Sequence, residues 1–271
     1  MKFRRSERLI DMTNYLLEHP RELVSLTYFA EKYGSAKSSI SEDLGIIKET
    51  FHKRGVGVLQ TVPGAAGGVK FYVNVDKAEA AEMIDDLCKI IASPDRLLPG
   101  GYLYMNDILG NPAIVRNVGR IMASAYAKAN IDVVMTVATK GIPLAHAVAG
   151  FLNVPVVIVR RDPKVTEGST VSINYVSGSS KRIQTMVLSK RSLKEGSHVL
   201  IVDDFMKAGG TINGMIDLLR EFNATVAGIS VLAESEDTEE RLVDDYISLV
   251  RLSNVDVKDK KIKVSQGKYF S

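Results

Sequence analysis

The sequence predicts two units in series: a small α+β unit of three helices and a hairpin, then a larger α/β unit built on a parallel sheet. Three observations predict this. Apolar residues recur at helical spacing through the first fifty or so positions, then switch to a two-residue alternation that ends at Val75. Beyond about residue 130, short continuous apolar runs alternate with helical patterns, as strands buried on both faces of a parallel sheet require. The chain has 271 residues, 45% hydrophobic and 25% charged. At roughly 100–200 residues per domain that composition suits one large globular domain or two small ones, and excludes a disordered or fibrous chain.

In the first unit, Leu9, Met12 and Leu16 follow helical spacing from near Ser6. His19-Pro20 ends that helix, because proline disfavours helix in the residue before it. A second helix carries Leu26, Phe29 and Tyr33 and stops at Gly34, a residue suited to a left-handed cap. The third places Ile40, Leu44, Ile47 and Phe51 on one face, and its start, Ser39-Ile40-Ser41-Glu42, fits a capping box with Ser39 as the cap. Val56 and Val58 then alternate with glycines, and Val69, Phe71, Val73 and Val75 alternate with Lys70, Tyr72 and Asn74. Between the two strands, Pro63-Gly64-Ala65-Ala66-Gly67-Gly68 reads as a turn. Three short helices and a glycine-tipped hairpin make a winged-helix plan over residues 1–74.

The second unit, 75–271, opens with a helix over 77–92 that carries Met83, Ile84, Leu87, Ile90 and Ile91. Buried strands are expected at 133–137, 154–159, 199–202 and 226–232. Glycine and serine cluster at 168–180, which reads as a long flexible loop, of a length uncommon without a function. Glu221, Glu234 and the acidic run 236–240 read as a solvated helix start.

No run approaches the ~18 apolar residues that span a membrane. The N-terminus turns polar where an export signal would turn apolar. The single cysteine, Cys88, forbids an internal disulfide and reads as a small buried hydrophobe. The expectation is a cytoplasmic protein with no membrane partner. His19, His52, His146 and His198 are scattered without ligand spacing, so no metal site is expected. The net charge is +3, and the whole excess lies in residues 1–74, with 11 Lys and Arg against 8 Asp and Glu. Such asymmetry points to double-stranded DNA, although a solvated basic end fits the charge count equally. The candidate DNA contacts are Lys37, Ser38 and Ser41 in the first turn of the third helix, the basic arm Lys2, Arg4, Arg5 and Arg8, and Lys70 on the wing.

The chemistry concentrates in Val199-Leu200-Ile201-Val202-Asp203-Asp204-Phe205-Met206-Lys207-Ala208-Gly209-Gly210-Thr211, followed by a helix with Ile212, Met215, Ile216 and Leu219 on one face. The order is buried strand, acid pair, small-residue loop, helix start. Ligands bind open α/β sheets at this end of the strands. Gly209 and Gly210 let main-chain N–H groups approach an anion, and the helix start adds free donors and a positive dipole end. Asp203 and Asp204 can accept hydrogen bonds from two vicinal hydroxyls. A lone acid pair would leave Mg²⁺ binding equally open; the complete run describes a ribose 5-phosphate site. No loop for ATP or for a dinucleotide is present. Tyr102 and Tyr104 follow a proline-glycine turn, where a tyrosine can fill the space of a base or serve as a core or interface residue.

The run at 199–211 resembles the phosphoribosyl pyrophosphate (PRPP) signature of type I phosphoribosyltransferases. The resemblance implies that the acid pair binds ribose hydroxyls and that Phe205, Lys207, Ala208, Gly209, Gly210 and Thr211 surround the 5′-phosphate. Ala138-Thr139-Lys140-Gly141-Ile142-Pro143 resembles that family's pyrophosphate loop, and Val159-Arg160-Arg161 a strand end beneath a closing loop. Thr139, Lys140, Gly141, Arg160 and Tyr102 therefore join the candidate effector contacts. Lys207 departs from the Thr or Ser usual in that family; it adds a cation and crowds the loop. Over its whole length the chain is similar to the purine operon regulators of Gram-positive bacteria, a winged helix fused to a domain with the type I phosphoribosyltransferase sheet. The residues carrying this are Lys2-Phe3-Arg4-Arg5-Ser6, 35–43, 63–69, 98–102, 166–175 and the signature with its Lys207. The resemblance implies a homodimeric, DNA-binding regulator of purine synthesis genes that senses PRPP, with or without Mg²⁺, and has no catalytic residues and no required cofactor. Repression is the default and activation remains open. Other diphosphate-bearing nucleotides, guanosine tetraphosphate for one, suit the same anion loops. The alternative is a working purine phosphoribosyltransferase with an accessory DNA-binding domain.

Overall fold

In the computed structural model, each periodic apolar segment closes against a neighbour; the structure describes all residues except 1–2, 65–66, 100–101, 163–167, 177–181, 239, 257–258 and 260. Helices α1 (Arg5–Glu18), α2 (Leu26–Tyr33) and α3 (Lys37–Lys53) bury Met12, Leu16, Phe29, Tyr33, Ile40, Leu44, Ile47 and Phe51 in one core. The hairpin of β2 (Gly57–Val62) and β3 (Gly68–Val73) closes it with Leu59, Val69 and Phe71. Gly34 caps α2 in the left-handed region at φ 59°. A two-residue strand, β1 (Val24–Ser25), adds to β3 and completes a three-stranded sheet. Two residues carry no alternation, so nothing in the sequence marked it.

The capping box expected at Ser39 does not form. Helix α3 begins three residues earlier, with Ala36 at its N-cap and no side-chain cap. The left-handed turn at Gly34 delivers the chain into helix by Lys37, and Ile40 must then reach the core one turn in. The first N–H groups of α3 are thus left to an outside acceptor. Arg8 also departs from its expected place in a free basic arm. Asp43 of α3, with its side chain fully buried, accepts Arg8 Nη2 at 2.7 Å, Arg8 Nε at 3.0 Å and Arg5 Nε at 2.8 Å. Arg8 therefore ties α1 to α3, Arg5 shares that task, and Arg4 stays exposed. Lys2 lies outside the described residues.

The second unit begins with α4 (Lys77–Ile91), a short hairpin of β4 (Leu97–Leu98) and β5 (Tyr102–Leu103), then α5 (Asn106–Leu109) and α6 (Pro112–Ala125). It continues with β6 (Val133–Val137), α7 (Ile142–Leu152), β7 (Val156–Val159), β8 (Thr170–Val176) and β9 (Ile183–Ser189). It ends with β10 (His198–Met206), α8 (Gly210–Arg220), β11 (Thr225–Ser235), β12 (Ile247–Asp256) and β13 (Lys261–Gln266). The six-stranded sheet runs β13-β12-β11-β10-β6-β7, parallel except for β13. One core packs α4, α6 and α7 on one face; the other packs α8 and the β8–β9 hairpin on the opposite face. The chain leaves β6 toward β7 on one side and β10 toward β11 on the other. The crevice between β6 and β10 is therefore a topological switch point, where ligands of such sheets bind. Val73 and Val75 are buried in the core of the second unit. Cys88 is buried there too, and burial pushes its thiol up to about 11.

Two further expectations fail. Residues 170–176 are not loop: β8 pairs antiparallel with β9 along seven positions. Val171, Ile173 and Tyr175 alternate inward, and Tyr175 packs so closely on α8 that a Cβ at Gly214 would lie 2.8 Å from its ring. Residues 177–180 lie outside the described residues. Glu234 is not a solvated helix start but a buried residue of β11, and no helix forms over the described residues of 236–240. Packing of β11 against β12 determines this, and β12 itself was not read from the sequence.

Removing Arg8 leaves Asp43 buried with half its compensation. Arg8→Ala is expected to destabilise the winged-helix unit by about 2–3 kcal/mol in urea unfolding. A loss below about 0.5 kcal/mol, the range of surface substitutions, would contradict the buried pair.

Candidate functional site

Strand β10 is buried from Val199 through Asp203, so the acid pair emerges at the sheet's carboxyl end already desolvated. Asp203 is 7% exposed, and its Oδ1 accepts the Asp204 N–H at 2.9 Å. Burial raises the Asp203 carboxyl well above the usual carboxylate range, and the neighbouring Asp204 charge adds to that. Burial raises Asp204 as well, against the bond with Asp203 and the charge of Lys140. An acid pair held this way can exchange hydrogen bonds with the hydroxyls of a bound molecule.

The loop after β6 reaches the same point. The Ala138–Thr139 peptide is cis. Gly141 sits so close to β10 that a Cβ would lie 2.2 Å from Thr136 Oγ1 and 2.9 Å from Asp203 Oδ1. Only glycine lets this loop close on the acid pair. The Thr136 hydroxyl beneath it is buried without a hydrogen-bond partner. On the other side, Gly209 takes φ 86° and caps α8, so the first amide groups of the helix have no intrahelical acceptors, and Thr211 of its first turn lines the crevice.

Thr139, Lys140, Arg160, Asp203, Asp204, Phe205 and Thr211 line one cavity of about 530 Å³, together with Arg161, quoted in the sequence only as part of a strand end, and Asp162, for which the sequence offered no signal. A second, more apolar chamber of about 450 Å³ adjoins it at Lys140, Asp204 and Phe205. Tyr102, Lys207, Leu97, Leu103, Met105, Asp237, Leu252, Val255 and Ile262 line this chamber. Both volumes suit a small ligand. Tyr102 stands 65% exposed at the edge. Gly141, Ala208, Gly209 and Gly210 line neither cavity; Gly141 lies against Asp203, and 208–210 form the turn into α8. Among the described residues, no group of three or more His, Cys, Asp or Glu side chains comes together to hold a metal.

Glu234 braces the loop between β10 and α8 from the next strand. It accepts Arg241 Nη1 at 2.6 Å, Ser248 Oγ at 2.7 Å, Arg251 Nε at 3.3 Å and the Tyr246 hydroxyl. Burial pushes its carboxyl up, but the bonds from Tyr246, Ser248 and Arg241 outweigh this and hold it below the usual range. The segment fixed in this way donates Leu242 N–H to Ala208 O at 2.9 Å and sets Val243 against Gly209.

On the winged-helix unit, Lys37, Ser38 and Ser41 are exposed at the start of α3, beside its uncapped amides. That end of α3 can approach phosphates and base edges. Lys70 does not join them. It is half-buried on β3 and lines a cleft of about 470 Å³ between the two units, with Arg21, Tyr72 and Lys128. The alternation that keeps Val69 and Phe71 in the winged-helix core turns Lys70 toward the second unit.

Comparison with known proteins agrees with this division. Residues 4–73 match the family model described as bacterial purine repressor, N-terminal, and residues 105–265 match the phosphoribosyl transferase domain. The chain is 65% identical to the purine biosynthesis transcriptional repressor PurR of Bacillus subtilis, covering 100% of this chain and 95% of that protein. It is 49% identical to the purine biosynthesis transcriptional activator PurR of Lactococcus lactis, covering 99% of both. A solved structure of adenine phosphoribosyltransferase from Thermoanaerobacter pseudethanolicus shares its fold over 62% of this chain and 99% of that one, with a TM-score of 0.55 and 22% identity.

Because Asp203 binds its proton more tightly folded than unfolded, the stability it allows is full below the ordinary carboxylate range and is lost as pH rises through its raised value. Asp203→Asn removes that loss. The ligand-free variant should melt higher than wild type at neutral pH, by about 2–4 °C per kcal/mol relieved, and show a flatter dependence of Tm on pH. An Asp203→Asn Tm below wild type across that range would contradict the desolvated acid pair.

Proposed function

The chain belongs to the bacterial purine repressor family of purine biosynthesis transcriptional regulators, and we propose that it binds promoter DNA of purine synthesis genes under control of PRPP. One observation carries this reading: a crevice lined by a buried acid pair, Lys140, Arg160 and the start of α8, and an exposed, uncapped start of α3, occur in one chain. In the proposed complex Asp203 and Asp204 take the ribose hydroxyls, and the main chain of 207–211 with Lys207 takes the 5′-phosphate. Residues 139–141 with Arg160 and Arg161 face the diphosphate. Mg²⁺, where it accompanies PRPP, would supply charge neutralisation of the diphosphate, with Asp203 and Asp204 among the carboxylates of the crevice. A regulator in contact with the genome works in the cytoplasm; no helix among the described residues is long and apolar enough to cross a membrane.

Repression is the proposed sign, on the 65% identity to a repressor against 49% to an activator. A homodimer would set two winged helices on one duplex and raise affinity through effective concentration. That matters because Arg8 and part of Arg5 are spent on Asp43, leaving few free cations per copy.

PRPP is proposed as a signal rather than a substrate, since the full-length relatives are regulators and Lys207 stands where transferases carry a small hydroxyl residue. The apolar chamber favours one second reading, a purine phosphoribosyltransferase whose base would fill the space beside Tyr102. The same chamber would accept the base of a diphosphate-bearing nucleotide that competes with PRPP.

Asp203→Ala with Asp204→Ala is expected to abolish the PRPP response while leaving DNA binding within about twofold; calorimetry showing wild-type PRPP affinity in this variant would refute the assignment. Purified wild-type protein should form no nucleotide from PRPP and any purine base. Turnover on the order of 1 s⁻¹ or faster would replace the regulator-only reading with the enzymatic one. DNA affinity should fall with salt, each phosphate contact adding about −0.9 to the log–log slope; a flat salt dependence would sink the electrostatic interface.

A further inference from the structure

Arg21 lies in the turn between α1 and β1, at φ 67°, a left-handed conformation uncommon for a residue with a side chain. Its guanidinium leaves the winged-helix unit and donates to three main-chain carbonyls of the second unit. Nη2 reaches Ala129 O at 2.9 Å and Nη1 reaches Leu152 O at 2.9 Å; both reach Ile131 O, at 3.3 and 3.4 Å. Five donors in one planar fork make this possible, and a lysine could not reproduce it.

The acceptors have a particular place. Ile131 lies just before β6, and Leu152 is the last residue of α7. Strand β6 and helix α7 are consecutive, and their far ends are joined by residues 138–141, the loop that closes on the acid pair. Arg21 therefore grips both near ends of a strand–loop–helix unit whose far end lines the ligand cavity. Helix α7 has 11 residues, a rigid arm about 16 Å long at 1.5 Å per residue. Beside this grip, Asn153 Nδ2 donates to Glu22 Oε1 at 2.7 Å. Helix α7 also lies so close to α6 that a Cβ at Gly119 would meet Ala147 Cβ at 2.5 Å. Arg120 of α6 is in turn bound to Gly55 O and Glu79.

We infer that Arg21 is the positioning residue through which occupancy of the 138–141 loop reaches the DNA-binding unit. This rests on the crevice being the PRPP site. Any tilt or slide of the β6–α7 unit on ligand binding must carry Arg21, and with it α1 and β1, or strand its donors half-buried and unpaired. The polar bridge at Arg120 reaches α6, which does not carry the ligand loop. Arg21 alone, among the described bridging side chains, holds the segments on both sides of that loop.

The test uses the full chain with Arg21→Asn, because asparagine tolerates the left-handed turn yet cannot span the three carbonyls. PRPP affinity is read by calorimetry, and affinity for upstream DNA of purine synthesis genes by anisotropy with and without PRPP. Both single affinities should stay within about threefold of wild type, while the PRPP-induced change in DNA affinity, about 5–150-fold for a coupling of usual size, shrinks to about twofold or less. Should R21N not fold, R21K keeps the charge and carries the same expectation. A variant that folds and keeps the wild-type ratio overturns the inference. A wild-type protein whose DNA affinity ignores PRPP overturns instead the functional reading beneath it.

Discussion

Asp203 is a carboxylate kept out of water at the end of a strand buried on both sides, and the rest of the second unit is arranged around that burden. The reversal of strand order between the parallel neighbours β6 and β10 opens a crevice beside it. Gly141 and Gly209 let two loops close on it from opposite sides, one by permitting main-chain contact, the other by taking a left-handed turn at the start of α8. Glu234, one strand over, is buried as well, but four donors satisfy it, and its work is to hold the segment that braces the loop between β10 and α8. One acid faces the crevice and the other supports its surroundings. Their opposite displacements follow from that difference: desolvation wins where partners are missing and hydrogen bonding wins where they are present.

The two units are joined by packing as well as by chain. Val73 and Val75 belong to the second core although they end the wing of the first. Val75 N–H donates to Ser124 Oγ at 2.9 Å, and Arg21 and Arg120 bridge the cleft with charged donors on main-chain carbonyls. A winged helix held like this cannot reorient freely on a tether, and fragment 1–74 would expose the apolar floor it rests on. Under the proposed function, a signal from the crevice would arrive as a small displacement of a shared interface, which suits a regulator whose two states differ by a few kcal/mol.

Features set by local sequence were legible in advance. The run through Asp203 and Asp204, the glycine-rich start of α8, the helices of the first unit and the cap at Gly34 all follow from periodicity and backbone chemistry over a few neighbouring residues. What stayed hidden depends on contacts distant in sequence. Glu234 sits among acidic residues and looks solvated until β12 brings Ser248 and Arg251 beside it. Arg8 looks like one more cation of a basic arm until α3 presents Asp43 from 35 residues away. The glycine and serine content of 168–180 masks the Val171, Ile173, Tyr175 alternation that makes β8. Arg21 carries no signal at all in the sequence, because its partners are main-chain carbonyls more than a hundred residues distant.

If occupancy of the acid-pair crevice and DNA binding by α3 bias one common equilibrium, their effects on each other must be equal. The measurement is the PRPP dissociation constant of the full chain by calorimetry, free and saturated with promoter DNA, set beside the DNA dissociation constant with and without PRPP. The two ratios should agree within about twofold, in the direction of mutual exclusion for a repressor released by PRPP. A PRPP affinity that is unchanged by bound DNA, in a protein whose DNA affinity nevertheless responds to PRPP, would contradict the coupling of the crevice to the winged helix.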